Sequence, residues 1–332
     1  MMFLSQRNQY LSCSFILQYC VSFIFFQQYA SAAAVSLPNN ETVPALIVFG
    51  DSIVDPGNNN YVTTLIKCDF YPYGRDFAGG NPTGRFSNGL VPSDMIAEKF
   101  GFCLGPVLSL SDQINMFKDY TRKLKEAVGE NRTATIISKS IYIVCTGSDD
   151  LANTYAQTPV RRAQYDIPAY TDLMAESASK FLQELYGLGA RRIGVFSLTA
   201  IGCVPSQRTL SGGLERVCSD SSNQAAQLFN SKLISQMDSL RRMFPDARLV
   251  YLDNYKPLLS LIQNPSQYGF EVVDKGCCGT GDVEVSILCN RYSVNTCSNA
   301  SNYIFWDSYH PTEKAYNILS SMVLDKNIKN FF

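Results

Sequence analysis

The sequence predicts an α/β fold in which a parallel sheet is covered by helices on both faces. Two patterns carry that expectation. Short apolar runs of strand length alternate with amphipathic segments of helix length. No internal repeat or second core pattern interrupts the 332 residues, so one folded domain is expected. Hydrophobic residues make up 46% of the chain, enough for a large core.

The elements follow in order. Residues 45–49, ALIVF, form a short, fully buried strand that ends at Gly50. Residues 55–90 are rich in Gly, Pro and Asn, yet aromatics recur through them. They read as ordered loop, because true linkers lack aromatics. Residues 91–100 and 111–128 read as helices, and 140–146, SIYIVCT, as a strand before Gly147. Residues 168–186 form a helix with Pro168 at its start and Met174, Ala178, Phe181, Leu182 and Leu185 on one face. A strand over 192–198 precedes a long helix over 222–244, whose stripe of Ala226, Phe229, Leu233, Met237, Leu240 and Phe244 stops at Pro245. A strand over 248–252 and a last helix over 311–328 complete the order.

The N-terminus reads as a secretory signal. Arg7 is its only basic residue, an apolar stretch runs over 11–26 around Gln18, and Ala30-Ser31-Ala32-Ala33-Ala34 follows. Residues 1–34 are therefore expected to be a signal peptide cleaved near Ala32–Ala34, with a linker over 35–44 and the folded domain over 45–332. A membrane anchor is the competing reading, but the run is short for about 30 Å of hydrocarbon. No later stretch approaches membrane length, so no integral span is expected after cleavage. The formal net charge is -1, which argues against a nucleic-acid partner.

Cysteine usage agrees with export. Cys13 and Cys20 fall in the signal, leaving nine of the eleven cysteines. Cys277, Cys278, Cys289 and Cys297 cluster in a Gly-rich segment and read as disulfide material, and Cys203 and Cys218 flank a polar loop and could pair. Zinc is the alternative for the cluster, but no histidine lies near it. Sequons at Asn40, Asn131 and Asn299 fit a glycosylated surface.

Ligands of such sheets bind beyond the carboxyl ends of the strands. Gly50-Asp51-Ser52 and Gly147-Ser148-Asp149-Asp150 fall at two of those ends, and Asp307-Ser308-Tyr309-His310-Pro311 opens the last helix. His310 is the only histidine, so a Ser-His mechanism has no other base. Neutral imidazole can take the Ser52 proton and return it to a leaving alcohol. Asp307, three residues earlier, can accept from the other ring N–H, fixing the tautomer and stabilising the imidazolium. Each group alone has a bland reading: Asp51 and Ser52 as turn residues, His310 as a capping residue, Asp307 and His310 as lone metal ligands. Their convergence favours a triad over a metal site. No G-x-S-x-G elbow is present, which argues against the α/β-hydrolase form of this chemistry.

The runs FGDSIVDPGNNN, PTGRFSNGLVPSDMIAEKFG, GARRIGVFSLTAIGCVPSQRT, VDKGCCGTG and FWDSYHPTEKA together resemble the plant GDSL esterase/lipases of the SGNH hydrolase superfamily. YDIPAYTDL and SLSDQINMFKDY are most similar to the extracellular lipase subgroup, which includes pollen-coat members. The resemblance covers nearly all of residues 45–325. It implies a three-layer α/β/α, flavodoxin-like fold and a triad of Ser52 as nucleophile, His310 as general base and acid, and Asp307 orienting it. It also implies hydrolysis of carboxylic esters, often lipid acyl esters, without a cofactor or metal, and secretion to an extracellular, cell-wall or pollen-coat-like site.

Two departures touch the oxyanion hole, which in the family resembles three donors: the serine N–H, a glycine N–H and the asparagine amide of a GxND run. Here Asp149 stands where that asparagine should be, and an ionised aspartate only accepts. The family's glycine stretch between its EKFG and SLSDQ helices has no counterpart across Phe102–Leu108, so the glycine donor and the sheet's edge strand are expected to be missing. Ser52's own N–H is then the one clear donor. The alternative to an active esterase is a catalytically impaired extracellular binding or cell-wall protein.

Overall fold

The computed structural model describes residues 37, 41–61, 63, 64, 66–100, 110–292 and 295–332. The expected signal, Asn40 and the 102–108 connection lie outside them.

The described chain runs β1 (Leu46–Gly50), α1 (Pro92–Phe100), α2 (Leu110–Val128), α3 (Glu130–Lys139), β2 (Ile141–Cys145), α4 (Pro159–Gln164), α5 (Ile167–Gly187), β3 (Arg192–Phe196), α6 (Pro205–Ser211), α7 (Asp220–Met243), β4 (Arg248–Leu252), α8 (Tyr255–Gln263), β5 (Val272–Gly276), β6 (Tyr303–Phe305) and α9 (Glu313–Asn327). Strands β1 to β4 form one parallel sheet in the order β1-β2-β3-β4, with Leu46 opposite Ile141, Ile141 opposite Arg192, and Arg192 opposite Arg248.

Every residue of β2 is buried, as a strand covered on both faces requires. Alternate side chains feed opposite cores. Phe49, Tyr142, Val144, Ile193, Val195 and Leu249 meet Phe117 of α2, Phe181 and Leu182 of α5, and Phe229 and Leu233 of α7. On the other face, Leu46, Ile141, Ile143, Cys145 and Val250 meet Ile96 of α1, Val323 of α9 and Phe331. The result is the expected three-layer α/β/α sandwich. Among the described residues β1 lies at the edge of the sheet.

The structure adds elements that the sequence pattern leaves unmarked. α3, α4, α6 and α8 fill stretches with no assigned structure, and β5 and β6 pair in a second, two-stranded parallel sheet. The last helix also starts later than expected. Thr312 caps it by accepting from the Ala315 N–H, and Pro311 instead forms an antiparallel bridge with Phe305. The Asp307–His310 run is thus a turn that follows β6 and leads to the Pro311 bridge, rather than the first turn of a helix.

Disulfides join Cys203 to Cys218, Cys277 to Cys297 and Cys278 to Cys289, while Cys68 and Cys145 are buried free thiols. Two of these bridges pin the segment after β5 beside Trp306, where Cys277 and Cys278 N–H groups donate to the Phe305 and Trp306 carbonyls at 3.0 and 2.9 Å. The Cys278–Cys289 bridge spans 11 residues. By chain entropy, replacing both cysteines with serine is expected to cost about 3 kcal/mol and lower Tm by roughly 5 °C. Calorimetry of the double variant checks this; an unchanged Tm rejects it.

Candidate active site

The first site residue is placed by a glycine. A Cβ on Gly50 would collide with the Cys145 carbonyl oxygen and lie 2.6 Å from a Val54 methyl, so only glycine lets β1 end this close to β2. The chain then turns at once. Asp51 accepts from the Ile53 N–H at 3.1 Å and caps the single helical turn Ser52–Val54. That turn holds Ser52 at the carboxyl end of the sheet.

At the same edge, α2 supplies a residue that the sequence analysis did not single out. Gly50 N–H donates to Gln113 Oε1 at 2.9 Å, and Gln113 Nε2 donates to the Gly50 carbonyl at 2.9 Å. The side-chain amide thereby does for Gly50 what a neighbouring strand would do, satisfying both peptide groups where β1 has no described partner. Gln113 sits inside the SLSDQ run, but only the folded chain reveals what its amide faces.

Ser52 Oγ lies 2.8 Å from His310 Nε2, and His310 Nδ1 lies 2.9 Å from both Asp307 oxygens. The three residues singled out by sequence are therefore brought together. Asp307 is wholly buried and His310 is only 5% exposed. The Asp307 carboxylate also accepts from the Tyr309 and His310 N–H groups at 2.8 Å each and from the Tyr73 hydroxyl at 2.7 Å. Tyr73 in turn accepts from the Ser286 N–H at 2.8 Å. Phe86 packs on the His310 ring with centroids 4.9 Å apart. Tyr73 and Phe86 belong to the 55–90 loop, which is ordered as its aromatics suggested.

Gly147 follows β2 with φ 103°, a conformation open to glycine. The turn carries Asp149 and Asp150 to the same end of the sheet. Asp149 is exposed, and its Oδ1 accepts from Asn153 Nδ2 at 2.6 Å. Asn153 Oδ1 accepts from the Tyr309 hydroxyl at 2.7 Å and from Gln157 at 2.9 Å. A short relay of amides and a phenol thus ties Asp149 to the residue beside His310.

The electrostatics are set by carboxylates. Burial pushes Asp51 up to about 7, with the charge of Asp149 adding to it, and its Oδ2 is sealed from solvent without a hydrogen-bond partner among the described residues. Burial alone would lower His310, but the charge and hydrogen bond of Asp307, with Asp149 and Asp51 beyond, leave it above the usual histidine range. Among the described residues no group of three or more His, Cys, Asp and Glu is placed to hold a metal ion.

These residues border a cleft of about 1050 Å³. One side carries Ser52 and the carboxylates of Asp51, Asp112, Asp149 and Asp150; Ile66, Leu210, Val283, Val285 and Leu288 supply apolar lining. Ile66 comes from the 55–90 loop and Leu210 from α6. The contribution of 283–288 was not anticipated, because its proximity depends on the disulfide-pinned segment.

The family model described as GDSL-like lipase/acylhydrolase matches residues 46–323. The chain belongs to that family. Its relatives include the GDSL esterase/lipases EXL3 and EXL2 of Arabidopsis thaliana. EXL3 is 46% identical, over 90% of this chain and 91% of its own length. EXL2 is 43% identical, over 93% of this chain and 95% of its own. The GDSL-like lipase/acylhydrolases are carboxylic ester hydrolases, and the serine of the GDS run in this member is Ser52.

The Gln113 clasp makes a local prediction for this member. Gln113→Leu leaves the partly buried N–H and carbonyl of Gly50 without these partners. It is expected to destabilise the fold by about 2–4 kcal/mol. Denaturant titration measures this, and a loss below about 0.5 kcal/mol would show that the clasp does not support the edge.

Proposed function

We propose that this protein is a secreted serine esterase that hydrolyses carboxylic esters, lipid acyl esters among them, through Ser52, His310 and Asp307. The carrying observation is the unbroken chain of contacts from Ser52 Oγ through the imidazole to the buried Asp307. His310 Nε2 removes the Ser52 proton as Oγ forms a bond to the ester carbonyl carbon. The carbon–oxygen bond to the alcohol then breaks, and the alcohol leaves with the proton from His310. Water, deprotonated by the same nitrogen, attacks the acyl-enzyme and frees the acid and Ser52. Asp307 holds the tautomer in which Nδ1 carries the proton and balances the imidazolium. The cleft's apolar lining suits an acyl chain.

Charge is less well met at the carbonyl oxygen. The Ser52 N–H is its donor in this reading, and Asp149 occupies the position of the family's asparagine. The loss of one oxyanion donor typically costs about 10²–10³ in turnover. A slow esterase is the outcome, and Asp149 is the observation that favours the alternative of a non-catalytic extracellular binding or cell-wall protein.

Secretion rests on the signal pattern over 1–34, the three disulfides and the resemblance of the sequence to the extracellular lipase subgroup. No helix among the described residues is long and apolar enough to cross a membrane. Asn131 and Asn299 are exposed, which suits glycans at those sequons, with Asn40 as the third site.

A fluorophosphonate should attach covalently to Ser52 of the purified protein, and peptide mass spectrometry locates it. A folded protein that remains unlabelled sinks the esterase reading in favour of the binding protein. Asp149→Asn is expected to raise kcat on a short-chain aryl ester by roughly 10–100-fold. It also removes a negative charge that holds His310 up. The acidic limb of kcat/KM, where the imidazole must lose its proton, should therefore move to lower pH. An unchanged rate together with an unchanged limb rejects this account of Asp149.

A further inference from the structure

Two loops at the mouth of the cleft present an inverted surface. Each is closed by a disulfide: Cys203–Cys218 brackets residues 204–217, and Cys278–Cys289 brackets residues 279–288. Leu210, Leu214 and Val217 of the first loop are exposed, Leu214 fully so. Val283, Ile287 and Leu288 of the second are exposed as well. The charged groups of the same loops turn inward, Glu215 apart. Arg208 is buried and donates to the Cys203 carbonyl at 2.8 Å. Arg216 pairs with Asp282 at 2.8 Å, which joins the loops. Glu284 accepts from the Thr280 and Gly281 N–H groups at 3.0 and 3.2 Å. Folded surfaces ordinarily do the reverse, with charges outward and large aliphatics inward.

The exposed side chains belong to one rim. Thr209 Oγ1 donates to the Asp282 carbonyl at 3.1 Å and fastens the loops a second time. Ile66, also exposed, joins from the 55–90 loop. Beside it the Lys67 N–H donates to Ser286 Oγ at 3.0 Å, and that hydroxyl donates to the Lys67 carbonyl at 2.8 Å. Ile66, Leu210, Val283 and Leu288 line the cleft itself. The rim is therefore the outward continuation of the wall assigned above to an acyl chain, and apolar patches of this kind mark interaction sites.

We propose that this rim docks the protein, cleft mouth down, on a neutral or zwitterionic lipid surface, from which an acyl chain passes into the cleft without crossing water. This rests on the esterase reading above and names how its substrate is presented. The chemistry of the rim selects lipid over a protein partner. Protein hot spots are built from Trp, Tyr and Arg, with Leu and Val under-represented. The two loops hold no aromatic residue, and both of their arginines are committed within them. A lipid surface asks for no directed contact, and its grip scales with the apolar area inserted. Charge selects neutral over anionic lipid. The loops contain no lysine, Arg208 is buried and Arg216 is paired, so anionic headgroups find no free cation there. The disulfides and the links between the loops also order these side chains before docking, which lowers the entropy lost on binding.

The test sediments the purified protein with phosphatidylcholine vesicles. The wild type should co-sediment, no more weakly in 0.5 M salt and with no gain on vesicles enriched in phosphatidylserine. Leu214→Ser combined with Ile287→Ser removes two exposed groups that lie outside the cleft lining. The double variant should partition to vesicles about 10-fold more weakly or worse. Its kcat/KM on a water-soluble butyrate ester should change by less than about twofold. A wild type that does not bind the vesicles, or a double variant that binds as the wild type does, overturns the proposal. A wild type that is a dimer in solution and ignores vesicles assigns the rim to a second copy and overturns it too. Vesicle binding needs no turnover. Docking with Ser52 unlabelled by the fluorophosphonate therefore overturns the esterase reading alone.

Discussion

A carboxylate with no exposure to solvent is the constraint around which this molecule is organised. Burying Asp307 is costly unless its charge is met by donors, and four groups meet it: two backbone N–H groups, the Tyr73 hydroxyl and the imidazole. Each donor commits a different part of the chain. The tight turn from Trp306 to His310, closed by the Trp306 N–H on the His310 carbonyl at 2.7 Å, supplies the backbone groups. The 55–90 loop supplies Tyr73, which must stay ordered over a long excursion to do so. The disulfide-pinned segment holds that loop from behind through Ser286 and through Arg75, which stacks on Trp306 and donates to the Cys297 carbonyl at 2.6 Å. The loop, the bridges and the turn are thus one device, and its output is the orientation of His310 toward Ser52.

How much of this was legible in the sequence follows from how local each signal is. β1 and β2 read clearly because strands buried on both faces are continuous apolar runs, and α5 and α7 because their apolar stripes are long. β5 and β6 did not. VVDKG is half polar and YIF is three residues long, and both count as strands only because each finds the other. Pro311 misled for a related reason. A proline before an apolar-periodic stretch is a good helix start, yet here the helix waits for the Thr312 cap and Pro311 pairs with Phe305. The four clustered cysteines marked a disulfide region, but which pairs with which depends on the path between them.

The site divides the same way. Ser52, Asp307 and His310 could be selected because the chain has a single histidine and their positions sit at element ends. Gln113 and Tyr73 could not, since an amide on a helix and a phenol in a loop are common and their partners are 63 and 234 residues away. Their roles follow from tertiary contact alone. Among the described residues β1 has no neighbour on its outer side, yet its last peptide is hydrogen-bonded, by the Gln113 side chain rather than by a strand.

The remaining question is why an acidic field surrounds chemistry that makes an anion. In the mechanism proposed above, two charges develop as Ser52 attacks: a positive one on His310 and a negative one on the carbonyl oxygen. Asp149 and Asp51 act on both with opposite sign. They add to the charge and hydrogen bond of Asp307 that hold His310 above its ordinary range, and on the triad reading they oppose the oxyanion. Coulomb energies fall with distance and are strongest where water is excluded, so the balance depends on which charge lies nearer. Asp307 already contacts the imidazole directly, so added carboxylates bring little further gain there. In the proposed mechanism the oxyanion forms beside position 149, and there a carboxylate costs more than it returns. On the triad reading proposed above, Asp149 therefore slows attack on an ester while Asp307 keeps its support of His310.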